Sequence, residues 1–275
     1  MPRTVLITGC STGIGRCCAD GLRARGWRVF ATARRADDVA TLVADGHEAL
    51  QLDLDDSASI HTAVDALLER TGGTLDALFN NGAYGQAGAV EDLSRDALRA
   101  QFESNLFGWV ELTNRVLPVM RAQGYGRIIQ NSSILGFATM PMRGAYNASK
   151  FAIEGFSDTL RLELAGTDIH VSLIEPGPVE SRFRQNAYLA FQQHIEQDNS
   201  VHRERYQAMI ERFETVGNVQ PFTLPPEAVL KRVVHALESR RPAIRYPVTF
   251  PTYLFAVLKR LLSDRMLDRI LKRVG

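Results

Sequence analysis

The chain has 275 residues, 45% of them hydrophobic and 23% charged, which is enough to bury the core of one large α/β domain. Its net charge of +1 gives no electrostatic basis for binding nucleic acid. The three cysteines, Cys10, Cys17 and Cys18, crowd the N-terminal end and form no disulfide framework, so a reducing cytoplasm is the expected setting. No basic-plus-apolar leader precedes the apolar run that starts at Val5, and no signal peptide is expected. No apolar run approaches the roughly 18 residues of a membrane span.

Thr4–Thr8 (TVLIT) is short, apolar and β-branched, which predicts a buried parallel strand. Gly9-Cys10-Ser11-Thr12-Gly13-Ile14-Gly15 follows, then a helix through about Arg25 closed by Gly26. A strand, a glycine-rich turn and a helix N-terminus together suit a pyrophosphate: the backbone turns tightly, approaches closely and offers free N–H groups at a positive dipole end. Arg28–Ala33 (RVFATA) is the second strand. NAD-specific sites place an acid at its end to hold the ribose 2′-hydroxyl. Here Arg34 and Arg35 stand in that place, and a guanidinium suits a 2′-phosphate that a carboxylate would repel. NADP(H) is therefore favoured over NAD(H), with Asp37 and Asp38 the candidates if NAD is preferred.

Ala49–Leu54 (ALQLDL) is the third strand, with Asp53 and Leu54 at its end within reach of an adenine ring. Leu75–Phe79 is the fourth, running into Asn80, Asn81, Gly82 and Ala83, whose small residues allow a ligand to pass closely. Ser94 caps a long helix predicted to continue to about Gln123. It carries Asn105 among Leu106, Phe107 and Trp109, an apolar setting in which an asparagine amide must be paired. Arg127–Asn131 is the fifth strand and delivers Ser132 and Ser133. Ala145–Ala165 is a helix, and His170–Ile174 a sixth strand that ends in Pro176, Gly177, Pro178 and Val179. Alternating strands and helices of this kind imply a single doubly wound, Rossmann-type parallel sheet with helices on both faces.

From about 180 to 220 the pattern loosens, with Phe183, Tyr188, Phe191, Tyr206 and Phe213 among polar residues. A mobile, partly helical lid is expected there. Pro226–Arg240 reads as a helix and Ala243–Tyr246 as a last strand. The tail, about 251–275, is amphipathic and holds six basic residues against two aspartates. Leu254, Leu258, Leu261, Leu262, Ile270 and Leu271 are expected to share a face that packs on its own domain or on a second subunit. Contact with a membrane surface is the alternative, which would make the protein membrane-peripheral. The six histidines lack metal-ligand spacing, so no metal is expected.

Tyr146 and Lys150 are four residues apart and share a helix face. Lysine is scarce: the 32 basic residues are 28 arginines and four lysines. A cation about 4 Å from a phenol, at an effective dielectric near 20, is worth roughly 4 kcal/mol, or about three pKa units. The pair therefore suits general acid/base catalysis, with Ser133 placed to hydrogen-bond the same substrate oxygen.

Taken together, TGCSTGIG at Thr8–Gly15, Asp53, Asn80–Asn81, Asn105, Ser133, YNASK at Tyr146–Lys150 and the Pro176-Gly177 turn resemble the short-chain dehydrogenase/reductase family. The resemblance extends from Thr4 to about Val248. It implies a catalytic tetrad of Asn105, Ser133, Tyr146 and Lys150. In that scheme Tyr146 exchanges the proton, Ser133 polarises the substrate oxygen, Lys150 lowers the phenol pKa and holds the nicotinamide ribose, and Asn105 holds a relay water. It also implies cofactor contacts from Pro176, Gly177, Val179 and Ser181 and a homodimer or homotetramer. Asn81-Gly82-Ala83 departs from the family's usual Asn-Ala-Gly, and Ser181 stands where threonine is common. Within the family the chain is similar to the hydroxysteroid- and retinol-dehydrogenase-like branch, and to bacterial NADP-dependent aldehyde reductases in it.

The expected function is an NADP(H)-dependent oxidoreductase acting on small apolar aldehydes, ketones or alcohols, with Phe137, Met140, Met142 and the aromatic lid supplying apolar walls. A steroid or retinoid dehydrogenase is the alternative within the family, and a non-catalytic NADP-binding sensor the alternative outside it. Ser132 competes with Ser133 for the serine role. The thirteen-residue spacing to Tyr146 favours Ser133, so Ser133→Ala should lower kcat/KM about 100-fold or more. Ser132→Ala should lower it far less, and equal losses in steady-state assays would remove the distinction.

Overall fold

The computed structural model describes residues 2–215, 217 and 221–274, with side chains described through residue 272. Residues 216 and 218–220 of the expected lid and residue 275 of the tail lie outside the described residues.

The strands are β1 (Thr4–Ile7), β2 (Arg28–Ala33), β3 (Glu48–Gln51), β4 (Ala77–Asn80), β5 (Tyr125–Asn131), β6 (Asp168–Glu175) and β7 (Arg245–Pro247). They form one parallel sheet in the order β3-β2-β1-β4-β5-β6-β7. At least one helix separates each strand from the next, as a parallel sheet requires. The helices are α1 (Gly13–Ala24), α2 (Ala36–Ala44), α3 (Ser57–Thr71), α4 (Arg95–Phe102), α5 (Gly108–Gln123), α6 (Gly144–Glu163), α7 (Phe183–His194), α8 (Arg203–Glu214), α9 (Glu227–Glu238), α10 (Phe250–Leu261) and α11 (Asp264–Val274). The central strands β1 and β4 are buried along their whole length, so they read as near-continuous apolar runs. One core lies against α1 and α9, around Ile7, Ala31, Phe79, Val229 and Val233. The other lies against α3, α5 and α6, around Leu6, Phe30, Leu78, Ile128 and Leu112. The doubly wound sheet is thus the expected one, and the order reverses between β1 and β4, the position where such sheets bind ligands.

Three elements differ from expectation. The long helix from Ser94 to Gln123 is broken by a π-helical turn over Glu103–Phe107. Directly after it, at Gly108, a Cβ would lie 2.1 Å from the Leu54 carbonyl oxygen, so the helix passes the β3 loop at backbone contact. Single π turns inside helices concentrate at functional positions, and this one carries Asn105. The tail is two helices rather than one, divided at Leu262-Ser263. Leu271, Phe255, Leu258 and Ile270 pack against Ala138, Ile134 and Phe137, so the tail packs on its own chain beside the serine strand. Leu254 and Leu261, expected on that face, are exposed. In the 180–220 segment, Phe191, Tyr206 and Phe213 are buried with Ala87 and Ala89 as a small core of their own.

Gly108→Ala should cost about 1–3 kcal/mol and lower Tm by several degrees, because the added methyl meets backbone that cannot yield. Gly155, exposed in α6 with open space where its Cβ would stand, provides the control. Gly155→Ala should raise Tm, by up to about 1 kcal/mol. Thermal unfolding followed by circular dichroism reads both.

Candidate active site

The glycine loop leaves β1 and opens α1. Gly9 has φ +71°, and a Cβ on it would meet the Gly82 Cα at 2.6 Å; a Cβ on Gly15 would meet the Gly9 carbonyl oxygen at 2.1 Å. Thr12 stands at the helix N-cap without a side-chain bond to it, so the first turn of α1 keeps its N–H groups uncapped. Ser11 is exposed beside it, and Ile14 packs into the core to set the angle of entry. Close backbone and uncapped donors at a helix N-terminus fit the pyrophosphate of a dinucleotide. Ser181 comes to this loop: a Cβ on Gly13 would lie 3.0 Å from the Ser181 Cβ. The Pro176–Val179 turn that carries it is fastened by hydrogen bonds between Leu224 and Pro178, and between Glu180 and Leu224.

Asn81 is a strut as much as a contact. Its Nδ2 donates to the Thr8 carbonyl at 2.9 Å, and its Oδ1 accepts from Asn131 Nδ2 at 2.9 Å. Thr8 Oγ1 accepts from the N–H groups of Asn81 and Gly82, both at 2.8 Å. Thr8 was not among the expected site residues, and its signal is the threonine that precedes the first glycine. The inverted Asn81-Gly82-Ala83 order places Gly82 against Gly9, where the two glycine backbones touch. Gly82 also accepts from Trp109 Nε1 at 2.8 Å.

At the end of β2, Arg34 and Arg35 are both exposed. Arg35 turns to Asp37 at 3.4 Å, while the Arg34 side chain makes no ion pair among the described residues. The strand carrying Asp53 ends earlier than expected, at Gln51, so Asp53 and Leu54 lie in the loop after it. Asp53 accepts from the Asp55 N–H at 3.1 Å.

Tyr146, Lys150, Ser133 and Asn105 come together in a buried group behind these loops. Lys150 Nζ donates to the Asn131 carbonyl at 2.7 Å and lies 4.3 Å from the Trp109 ring centre. Burial pushes the lysine down to about 7, with Glu154 opposing. Burial pushes the Tyr146 phenol up to about 12, while the Ser133 hydroxyl and Arg143 pull it back. The spacing argument weighed charge without desolvation; here desolvation prevails, with Lys150 Nζ 5.7 Å from the phenol ring centre. The Ser133 hydroxyl lowers the Tyr146 phenol and the Ser132 hydroxyl lowers the Glu154 carboxyl, while Ser133 Oγ accepts from the Leu135 N–H at 3.1 Å and Ser132 Oγ is buried without a hydrogen-bond partner. Asn105 is fully paired: Oδ1 accepts from the Tyr84 N–H at 3.1 Å, and Nδ2 donates to the Tyr84 carbonyl at 2.9 Å and to Ser149 Oγ at 3.2 Å. Its amide therefore fastens the β4 loop to α6.

The apolar walls differ from expectation. Phe183 reaches Tyr146, with ring centres 5.2 Å apart. Phe137 is taken up by the tail helices and Met142 by the core of α7 and α8, because each has a closer apolar surface to cover.

Five further charged residues border the site. Arg245 holds Glu154 at 3.0 Å, Asp158 at 2.7 Å and Glu175 at 3.2 Å. Glu175 immediately precedes the Pro176-Gly177 turn, and burial and then Glu154 push it up to about 8. Arg143, the fifth, precedes α6. No sequence spacing marks these contacts.

With the fold and this geometry described, the comparisons with known proteins agree. The family described as short chain dehydrogenase matches residues 3–190. "Uncharacterized oxidoreductase YbbO" of Escherichia coli is 42% identical over 272 residues, 99% of this chain and 95% of that protein. "NADPH-dependent 3-dehydrocapnine reductase" of Ornithobacterium rhinotracheale is 30% identical, over 98% of this chain and 95% of that one. A short-chain dehydrogenase/reductase from Burkholderia phymatum, solved with NAD, shares the fold at a TM-score of 0.79 and 23% identity, covering 100% of this chain and 96% of that one. The chain belongs to the short-chain dehydrogenase/reductase family of oxidoreductases. The fold of that family binds a nicotinamide cofactor, and the glycine cradle fits one. No helix among the described residues is long and apolar enough to cross a membrane.

A carboxyl raised from 4.5 to about 8 keeps its proton in the folded state where the unfolded chain has lost it. The stability Glu175 contributes is thus full below about 4.5 and is lost as pH rises toward about 8. Glu175→Gln keeps the shape without the charge. Its Tm relative to the unsubstituted protein should rise between pH 5 and about pH 8 and level off above that, and a constant difference across the range would mean Glu175 is ionised throughout.

Proposed function

We propose that the protein is an NADP(H)-dependent oxidoreductase that reduces apolar aldehydes or ketones to alcohols, or runs the reverse, with Tyr146 as general acid/base. The observation that carries this reading is the burial of Ser133, Tyr146 and Lys150 beside a glycine cradle, with Lys150 Nζ 5.7 Å from the Tyr146 ring centre. The cofactor supplies the hydride. Tyr146 Oη holds the proton that the substrate oxygen receives. Ser133 donates to that oxygen and keeps the phenol near it. Lys150, anchored on the Asn131 carbonyl, is placed to hold the ribose and to bias Tyr146 toward its ionised form. Asn105 fixes the loop over which the substrate enters.

Arg34 supports NADP: it is exposed at the end of β2 without an ion-pair partner among the described residues. A relative whose name includes NADPH supports it too. Gly9, Ser11, Thr12, Gly13, Ile14 and Gly15 are assigned to the pyrophosphate, Asp53 and Leu54 to the adenine, and Pro176, Gly177, Val179 and Ser181 to the nicotinamide end. The 180–220 segment acts as the lid, with Phe183 against the reacting group. A homo-oligomer in the cytoplasm is the setting proposed for it.

Purified protein with a medium-chain aldehyde should oxidise NADPH at least tenfold faster than NADH, and Arg34→Ala should remove most of that ratio. Turnover should rise with chain length across an aldehyde series. Tyr146→Phe should lower kcat about 100-fold or more while NADPH binding, read by fluorescence, changes little. Preference for NADH would overturn the role of Arg34, and undiminished turnover by Tyr146→Phe would overturn the mechanism.

A further inference from the structure

Arg143 is a cation without an anion. It precedes α6, three residues before Tyr146 and so on the same side of the first turn. Its backbone is fixed: its carbonyl accepts from the Asn147 N–H, and it bridges to Gly88 across the entrance loop. The guanidinium carbon lies 5.6 Å from the ring centre of Phe213, on α8. Nη1 is buried and has no hydrogen-bond partner, and no carboxylate among the described residues forms an ion pair with the side chain. The charged and titratable groups acting on it are Arg212, which opposes it, and Tyr146. Burial lowers it to about 10, so it is a full cation at neutral pH.

Arg143 as a residue is half-buried, but its Nη1 is enclosed, and a guanidinium nitrogen enclosed without a partner forgoes its hydration without return. The Phe213 face offsets part of that loss but accepts no hydrogen bond from Nη1. Tyr146, where the substrate carbonyl is placed, follows Arg143 by three residues, and the two side chains are near enough for each to act electrostatically on the other. A guanidinium fork matches a carboxylate in two parallel hydrogen bonds.

We propose that Arg143 is a specificity-determining residue that recognises a carboxylate on the substrate, so that the preferred substrates are oxo acids with an apolar body and an anionic group a few bonds from the carbonyl. This rests on the reading of Tyr146 as the acid/base and sharpens the substrate class. The anion completes the pairing that the protein leaves open, and the lid helix α8 closes over the pair through Phe213.

The test compares butanal with succinic semialdehyde, the same chain ending in a carboxylate, at saturating NADPH. The ratio of their kcat/KM values is the readout, because an effect of Arg143 on the Tyr146 phenol lowers both substrates alike. The unsubstituted protein should favour succinic semialdehyde at least tenfold. Arg143→Gln should bring the ratio near one, and Arg143→Lys should fall between. A ratio at or below one in the unsubstituted protein, or equal losses on both aldehydes in Arg143→Gln, would overturn the proposal. A binding arm stands apart from turnover: butyrate should quench tryptophan fluorescence at least tenfold more tightly in the unsubstituted protein than in Arg143→Gln, with butanol unaffected. Selective butyrate binding without reduction of either aldehyde would count against the carbonyl-reductase reading and for the anion site. Reduction of both aldehydes with no selectivity would do the reverse.

Discussion

The structure depends on taking one lysine out of water. Lys150 is fully buried with a single hydrogen bond, to the carbonyl of Asn131, an aromatic face at Trp109, and Glu154 one turn along the helix. Burying an ammonium costs several kcal/mol unless its surroundings compensate. That compensation draws in much of the fold. Asn131 is the last residue of β5 and is itself tied to Asn81, which is tied to Thr8 and the glycine loop. The position of the lysine and the shape of the cofactor cradle are therefore set by one chain of hydrogen bonds across three adjacent strands.

On the other side of Lys150 lies the carboxylate group around Arg245. Glu154, Asp158 and Glu175 share one guanidinium, and two of the three are buried deeply enough to have raised pKa values. Glu175 leads directly into Pro176, whose carbonyl accepts from the Ile134 N–H just past Ser133. The serine strand, the Pro-Gly turn and the C-terminal strand are thus coupled electrostatically as well as by packing. The tail helices then cover Ala138 and Phe137, so the serine segment is enclosed from that side.

Asn105 illustrates how local irregularity serves position. The helix from Arg95 to Gln123 passes the Leu54 carbonyl at Gly108, where a side chain would have no room, and it holds a π turn just before that point. The π turn places Asn105 so that its amide is wholly engaged by Tyr84 and Ser149. The entrance loop after β4 and the helix bearing Tyr146 are joined through that one side chain. Arg143 sits at the other end of the same loop, where Gly88 meets it.

What the sequence determined by itself is what depends on neighbours along the chain. The succession of strands and helices, the glycine turn and the Tyr146–Lys150 face follow from hydrophobic runs and helical periodicity, while β3 ends at Gln51 rather than Leu54. The exposed arginines at the end of β2 were legible for the same reason. Tertiary structure alone decided the rest. Arg245 meets Glu154 across 91 residues of sequence, and Asn81 meets Asn131 across 50, contacts that no spacing rule encodes. Phe137 and Met142 read as pocket walls until the tail helices and α8 offered them closer surfaces. The balance at Tyr146 was decided in the same way, because a neighbouring charge can be read from the sequence, whereas desolvation is a property of everything that folds around the phenol.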